Sequence, residues 1–197
     1  MNMTSSAMEY QNAISEYDME LIRGWNSAQL QEWKTCIHEV IHDQALAQRD
    51  AEAICMEAGS LSYRELDELS TSLARHLLFL GIEREAIVPL CFDKSMENVI
   101  SMLGVMKAGL AFCPLDPTAP ISRLRTLISN VGAKFLLCSQ QHASLLSTVA
   151  DNVIPIDRDI LNQLPQSSEN ELPQVASNDL AYLIYTSGSV SSHFIFF

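Results

Sequence analysis

Apolar residues recur at helical spacing through Leu66, Leu69, Leu73, Leu77 and Leu80, and this stripe predicts a well-made helix. Ser62 before it is a natural N-cap, Glu65 completes a capping box, Leu61 can staple against Leu66, and Gly81 supplies the stop. Just upstream, Ala51 to Met56 and Ser60 to Tyr63 flank Glu57-Ala58-Gly59, a hairpin pattern. From Ala86 onwards the pattern alternates between short apolar runs and amphipathic ones. Ala86 to Phe92 is almost continuously apolar, as in a strand covered on both faces, although Pro89 removes one ladder donor. Ser95 caps a helix with Val99, Leu103 and Met106 inward and Gly109 after it. Leu110 to Leu115 is the next strand, closed by Asp116-Pro117. Pro120 opens another helix with Ile121, Leu124, Leu127 or Ile128, and Val131 inward, and Gly132 ends it. Lys134 to Cys138 reads as a strand, Gln140 to Val149 as a helix and Val153 to Ile156 as a strand. The expected fold is α/β, with alternating strands and helices forming a mostly parallel sheet.

Both ends depart from this pattern. Residues 1–35 carry no strong period beyond a short helix from about Ser15 to Trp25, capped by Ser15 or Asp18, and read as a linker whose Trp25 and Trp33 dock elsewhere. Asp157 to Asn178 is rich in Asp, Glu, Ser, Asn, Gln and Pro and reads as an irregular surface connection. It leads into Leu180 to Tyr185, a β-branched and aromatic run long enough for one buried strand. That run passes straight into Thr186, Ser187, Gly188 and Ser189. Small hydroxyl-bearing residues can turn several backbone N–H groups and side-chain hydroxyls towards one point, the arrangement that receives a phosphate chain. No Gly-x-x-x-x-Gly-Lys-Ser/Thr occurs, so this is not a Walker loop. Taken alone, it reads more simply as a Ser/Gly turn after a strand.

Composition narrows the classes. At 197 residues with 48% hydrophobic and 18% charged positions, the chain is globular. A net charge of −12 repels phosphodiester backbones and argues against nucleic-acid binding. It does little to attract ATP, so a nucleotide site would need local donors and Mg²⁺. The five cysteines, Cys36, Cys55, Cys91, Cys113 and Cys138, form no C-x-x-C and mostly sit in or beside apolar runs. They read as buried free thiols of a reducing compartment. With no apolar run of transmembrane length and no signal-like N-terminus, a soluble cytoplasmic chain with no membrane partner is expected.

His38-Glu-Val-Ile-His42 matches H-E-x-x-H, the spacing with which two imidazoles on adjacent turns grip zinc. A zinc hydrolase on His38 and His42 is the remote reading. Ile37, Val40, Ile41 and Ala45 supply the buried stripe an amphipathic helix needs anyway, and no third ligand motif follows. A structural helix without metal is expected. Lys107 reads as a solvated charge at a helix C-terminus and Asp116 as a turn residue, so no catalytic residue is assigned.

Three blocks, in order, resemble the signatures of one family. Leu61-Ser-Tyr-Arg-Glu-Leu66 resembles the first signature of nonribosomal peptide synthetase adenylation domains. Met106-Lys-Ala-Gly-Leu-Ala-Phe-Cys-Pro-Leu-Asp-Pro117 resembles the second almost letter for letter. Leu180-Ala-Tyr-Leu-Ile-Tyr-Thr-Ser-Gly-Ser189 resembles the opening half of the phosphate-loop signature of adenylate-forming enzymes. Cys36-Ile-His-Glu39 with Gln44 is similar to the usual first helix, Val88 to Ser95 to the fungal type, and Trp25-Asn-Ser27 to the linker text preceding such domains.

The resemblance implies ATP and Mg²⁺ as cofactors, with Thr186, Ser187, Gly188 and Ser189 holding the β- and γ-phosphates. It also implies an amino acid activated as aminoacyl-AMP and passed to the phosphopantetheine thiol of a carrier protein. In the family the loop continues Thr-Gly-x-Pro-Lys-Gly; here Val190 to Phe197 follows instead. The expected organisation is therefore a linker over 1–35, the N-terminal part of an AMP-binding adenylation domain over 36–189, and an aberrant tail over 190–197. A Val-Ser pair can be encoded by the bases that open many introns, so the tail is expected to be translated intron or a break in the gene. Such a fragment is expected to be inactive by itself and to bind no cofactor tightly. The alternative is a non-catalytic module that pairs with a synthetase through an exposed sheet edge.

Overall fold

The computed structural model describes residues 14–27, 34–165 and 171–185, and the backbone of 195–196. The chain divides into two units, Met1–Lys34 and Thr35–Phe197. In the first, helix α1 (Glu16–Asn26) is capped as expected: the Ser15 hydroxyl accepts from Asp18 N. None of its residues is buried, and Trp25 is 72% exposed. Trp33 lies outside the described residues.

The second unit opens with α2 (Ile37–Ala47), then the hairpin of β1 (Glu52–Met56) and β2 (Gly59–Ser62), paired antiparallel. Helix α3 (Tyr63–Phe79) carries the expected capping box, Ser62 accepting from Glu65 N while the Glu65 carboxylate accepts from Ser62 N. Its stripe of Leu66, Leu69, Leu73 and Leu77 is buried, and Gly81 stops it at φ +72°, a conformation suited to glycine. Then follow β3 (Ile87–Cys91), α4 (Met96–Lys107), β4 (Ala111–Leu115), α5 (Ile121–Asn130) and β5 (Phe135–Ser139). A 3₁₀ turn at Gln140–His142 and the single turn α6 (Ala143–Leu146) lead to β6 (Asn152–Ile156), α7 (Arg158–Gln163) and β7 (Leu183–Ile184). The backbone of β8 (Ile195–Phe196) pairs antiparallel with β7; the rest of the predicted tail lies outside the described residues.

The sheet runs β4-β3-β5-β6, every pair parallel. Alternation along its strands sorts the core into two halves. Val88, Leu90, Leu137 and Ile156 pack with α3, α4 and Leu161 of α7 on one face. Cys91, Cys113, Leu115, Leu136 and Cys138 pack with Leu124 and Ile128 of α5 and Leu146 of α6 on the other. Pro89 is accommodated in a specific way. The Ala86 carbonyl accepts from Ala111 N, so by alternation the backbone of residue 89 faces β5, and the β3–β5 ladder begins only at Leu90.

Several expectations need correction. Lys107 is not solvated: it is 4% exposed, and its ammonium donates to Asp67 Oδ1 (2.7 Å), Asp67 O (3.0 Å) and Thr71 Oγ1 (2.9 Å). Burial pulls its pKa below the ordinary lysine value against the opposing pull of Asp67. Helix α4 is buried far beyond the expected stripe, Ser101, Gly104 and Val105 included. A Cβ at Gly104 would lie 3.0 Å from Leu73, so α3 and α4 touch closely there. On α2, Ile37 and Val40 are 52% and 41% exposed, leaving Ile41 and Ala45 to seat the helix. The expected helix over 140–149 is a 3₁₀ turn plus one α turn. Part of the supposed irregular connection is α7, capped by Asp157, which accepts from Ile160 N at 2.8 Å. Cys55 is exposed, whereas Cys91, Cys113 and Cys138 are buried; all five thiols are free. No helix among the described residues is long and apolar enough to cross a membrane.

Candidate functional site

In open parallel sheets, ligands bind outside the carboxyl ends of the strands, where consecutive connections leave for opposite faces. Here the connection after β3 leads to α4 on one face, and that after β4 leads to α5 on the other. The segment before the candidate phosphate loop reaches this edge by pairing with β4. Ala181 O accepts from Phe112 N at 3.1 Å, and Tyr182 bridges Phe112 in the parallel sense. The two rings stack with centroids 5.5 Å apart. Running in the same direction as β4, the segment delivers Tyr185 to the carboxyl edge. The predicted buried strand over 180–185 is thus only partly so: Leu183 is buried, while Ile184 is exposed.

Tyr185 is anchored there. Its hydroxyl donates to Leu127 O at 3.0 Å, and burial, with Cys113 beside it, pushes its pKa up to about 12. The phenol therefore stays a donor. Beside it lies an open groove of about 450 Å³ lined by Leu115, Asp116, Thr118, Arg123 and Tyr185, among others. Asp116 is a turn residue as expected, accepting from Thr118 N (2.8 Å) and Thr118 Oγ1 (2.7 Å), bonds that hold its carboxyl below the usual range. Thr186, Ser187, Gly188 and Ser189 lie outside the described residues. What the structure establishes is where their strand ends.

A second polar group occupies the same edge. Asp93, after β3, accepts from His142 Nε2 at 2.8 Å and from Gln141 Nε2, both after β5. Sequence reading missed this pair because its members are far apart in the chain: Asp93 lies in the Val88 to Ser95 block but had no role there, and His142 belongs to no motif. Arg123 was missed because it belongs to no motif, and Tyr185, though inside the third signature, carried no role of its own there; nothing in the sequence places the first turn of α5 against the end of β7.

The two histidines of the formal zinc motif are engaged with different partners. His42 Nδ1 sits 3.0 Å from Asp67 Oδ1, joining the Lys107 network. His38 turns to the helix N-terminus beside Cys36 and Glu39.

These features place the chain. The family model for AMP-binding enzymes matches residues 41–191, and the chain belongs to that family. It is 41% identical over 178 residues to Nonribosomal peptide synthetase 4 of Gibberella zeae, a match covering 90% of this chain and 2% of that protein. It is 44% identical over 177 residues to Nonribosomal peptide synthetase nlsA of Emericella nidulans, covering 88% and 3%. Among the curated relatives it matches first, the chain spans no more than 10% of their length. The crystal structure of VinN superposes with TM-score 0.74 at 25% identity, covering 81% of this chain and 44% of that one. An AMPPNP-bound form of the nonribosomal peptide synthetase FmoA3 superposes with TM-score 0.75 at 24% identity, covering 88% and 18%, and shows the same fold.

Proposed function

We propose that this chain is the N-terminal part of a nonribosomal peptide synthetase adenylation domain, and that Thr186, Ser187, Gly188 and Ser189 form half of its cradle for the β- and γ-phosphates of ATP. The parallel bridge between Tyr182 and Phe112 supports this reading, because it sends the loop off the carboxyl edge of the sheet. In the intact domain the amino-acid carboxylate attacks the α-phosphorus of ATP, forming aminoacyl-AMP and releasing pyrophosphate. The acyl group then passes to the phosphopantetheine thiol of a carrier protein. The cradle contributes by fixing the phosphates and meeting their charge with hydroxyl and N–H donors.

These residues do not complete the reaction alone. The last Lys or Arg in the sequence is Arg158, so the loop carries no cation of its own and relies on Mg²⁺ and on cations brought from elsewhere in the fold. The purified chain is therefore expected to show no amino-acid-dependent exchange of pyrophosphate into ATP. Residues 36–189, placed in a working adenylation domain in exchange for the corresponding part, are expected to support that exchange. Thr186→Ala with Ser187→Ala in this chimera should lower its rate by about 10²–10³-fold, the usual cost of lost transition-state donors. A chimera indifferent to both substitutions refutes the assignment of the loop.

A further inference from the structure

We propose that Cys36, His38 and Glu39 bind a divalent metal ion of borderline softness, with Zn²⁺ the best fit. This site shares His38 and Glu39 with the formal zinc motif but replaces His42, which is turned to Asp67, by Cys36. One sulfur, one imidazole nitrogen and one carboxylate oxygen from these residues lie within 4.8 Å of one another. Tetrahedral zinc with Zn–S near 2.3 Å and Zn–N near 2.0 Å needs donors about 3.5 Å apart, within reach of small side-chain rotations. The three come from four consecutive positions at the N-terminus of α2, so little chain entropy opposes their convergence.

The donors are chemically ready. Glu39 Oε2 is held by Cys36 N (3.0 Å) and Thr35 Oγ1 (2.9 Å), which fixes the carboxylate and leaves Oε1 for an ion. The His38 imidazole brings a nitrogen lone pair, and a dication arriving beside Cys36 favours its thiolate over its thiol. The Cys36 S–H bond breaks, its proton leaves to solvent, and an Sγ–metal bond forms in place of the weak 3.5 Å contact with Val175 O. Water completes the coordination from an adjoining cavity of about 260 Å³, which Cys36 and His38 line together with Val175, Asp179 and Tyr182. The occupied site would stiffen the wall against which residues 175–182 pack.

The test is a Co²⁺ titration of the full reduced chain, followed by displacement with Zn²⁺. One saturable equivalent is expected, with a near-ultraviolet thiolate-to-cobalt band that Zn²⁺ abolishes. Cys36→Ser should remove the band, and His38→Gln should weaken binding by about tenfold or more. Glu39→Gln, which keeps an acceptor for the helix cap, should weaken it as well. Cys55→Ser and His42→Gln should change nothing. Far-UV circular dichroism on each variant separates lost binding from lost folding, and if Cys36→Ser does not fold, the His38 and Glu39 variants decide. A band that survives in Cys36→Ser, a band lost in Cys55→Ser, or the lack of any saturable thiolate band overturns the proposal.

Discussion

Replacing Lys107 by methionine probes the polar interaction that ties α2, α3 and α4 together. The stem volume is kept while the ammonium disappears, together with its three bonds to Asp67 and Thr71. Breaking a fully buried pair by removing one partner costs about 3–5 kcal/mol. Asp67 is 19% exposed and keeps His42 at 3.0 Å, so water and the imidazole relieve part of that penalty. The expected loss is about 2–3 kcal/mol, measured by urea denaturation. Lys107→Met with Asp67→Leu removes both charges and should recover most of it. The pH dependence gives a separate check. Burial pushes the Asp67 carboxyl up, but the bonds from Lys107 and His42 outweigh it and leave its pKa below 3.8. Its contribution is thus present above 3.8 and is lost as pH falls through the folded-state value. Lys107, lowered from 10.5, is bound to its proton less tightly when folded, so stability should rise with pH on approaching 10.5. Lys107→Met should abolish the alkaline rise and shrink the acid loss. A variant within about 0.5 kcal/mol of the parent, with both limbs unchanged, would refute the network's importance.

Gly104→Ala should destabilise by about 1 kcal/mol, since crowding Leu73 outweighs the gain in helix propensity. In a Leu73→Ala background the same change should cost less, because the contacts with Leu73 Cγ and Cδ2 are gone and only Cβ stays within 3.2 Å, which a double-mutant cycle measures. Thiol reagents should label exposed Cys55 in the native chain and spare Cys91, Cys113 and Cys138 until denaturant is added. Those three are buried, with pKa values pushed up to about 11, 12 and 12, so thiolate is scarce as well as inaccessible. Tyr185→Phe should cost about 1 kcal/mol in thermal melting through loss of its bond to Leu127 O.

The frame was legible wherever local chemistry and tertiary structure agree. Ser62 and Glu65 cap α3 through contacts three residues apart, and its leucines fall on one face whatever the partner. Positive φ at Gly81, Gly109 and Gly132 marks stops that sequence alone announced. What stayed hidden depends on residues distant in the chain. Lys107 looks solvated until Asp67, on another helix, is brought to it. Ile37 and Val40 suit a buried stripe, yet the apolar residues that seat α2 are Ile41 and Ala45. Helix α7 buries only Leu161, too little to make a period. At the candidate site the loop was legible as a motif, whereas its surroundings, Tyr185 on Leu127 and Asp93 on His142, come from tertiary placement.

The bridge between Phe112 and Tyr182 has a kinetic consequence. A contact between such distant positions rewards the chain only after a long loop has closed, whereas β3, α4 and β4 assemble from neighbours. Residues 171–185 should accordingly be the last part of the sheet to dock and the first to detach, with amide exchange fastest there. The ledge from which a nucleotide would be gripped is then the loosest piece of the scaffold, and whatever braces its flank governs how long the grip lasts.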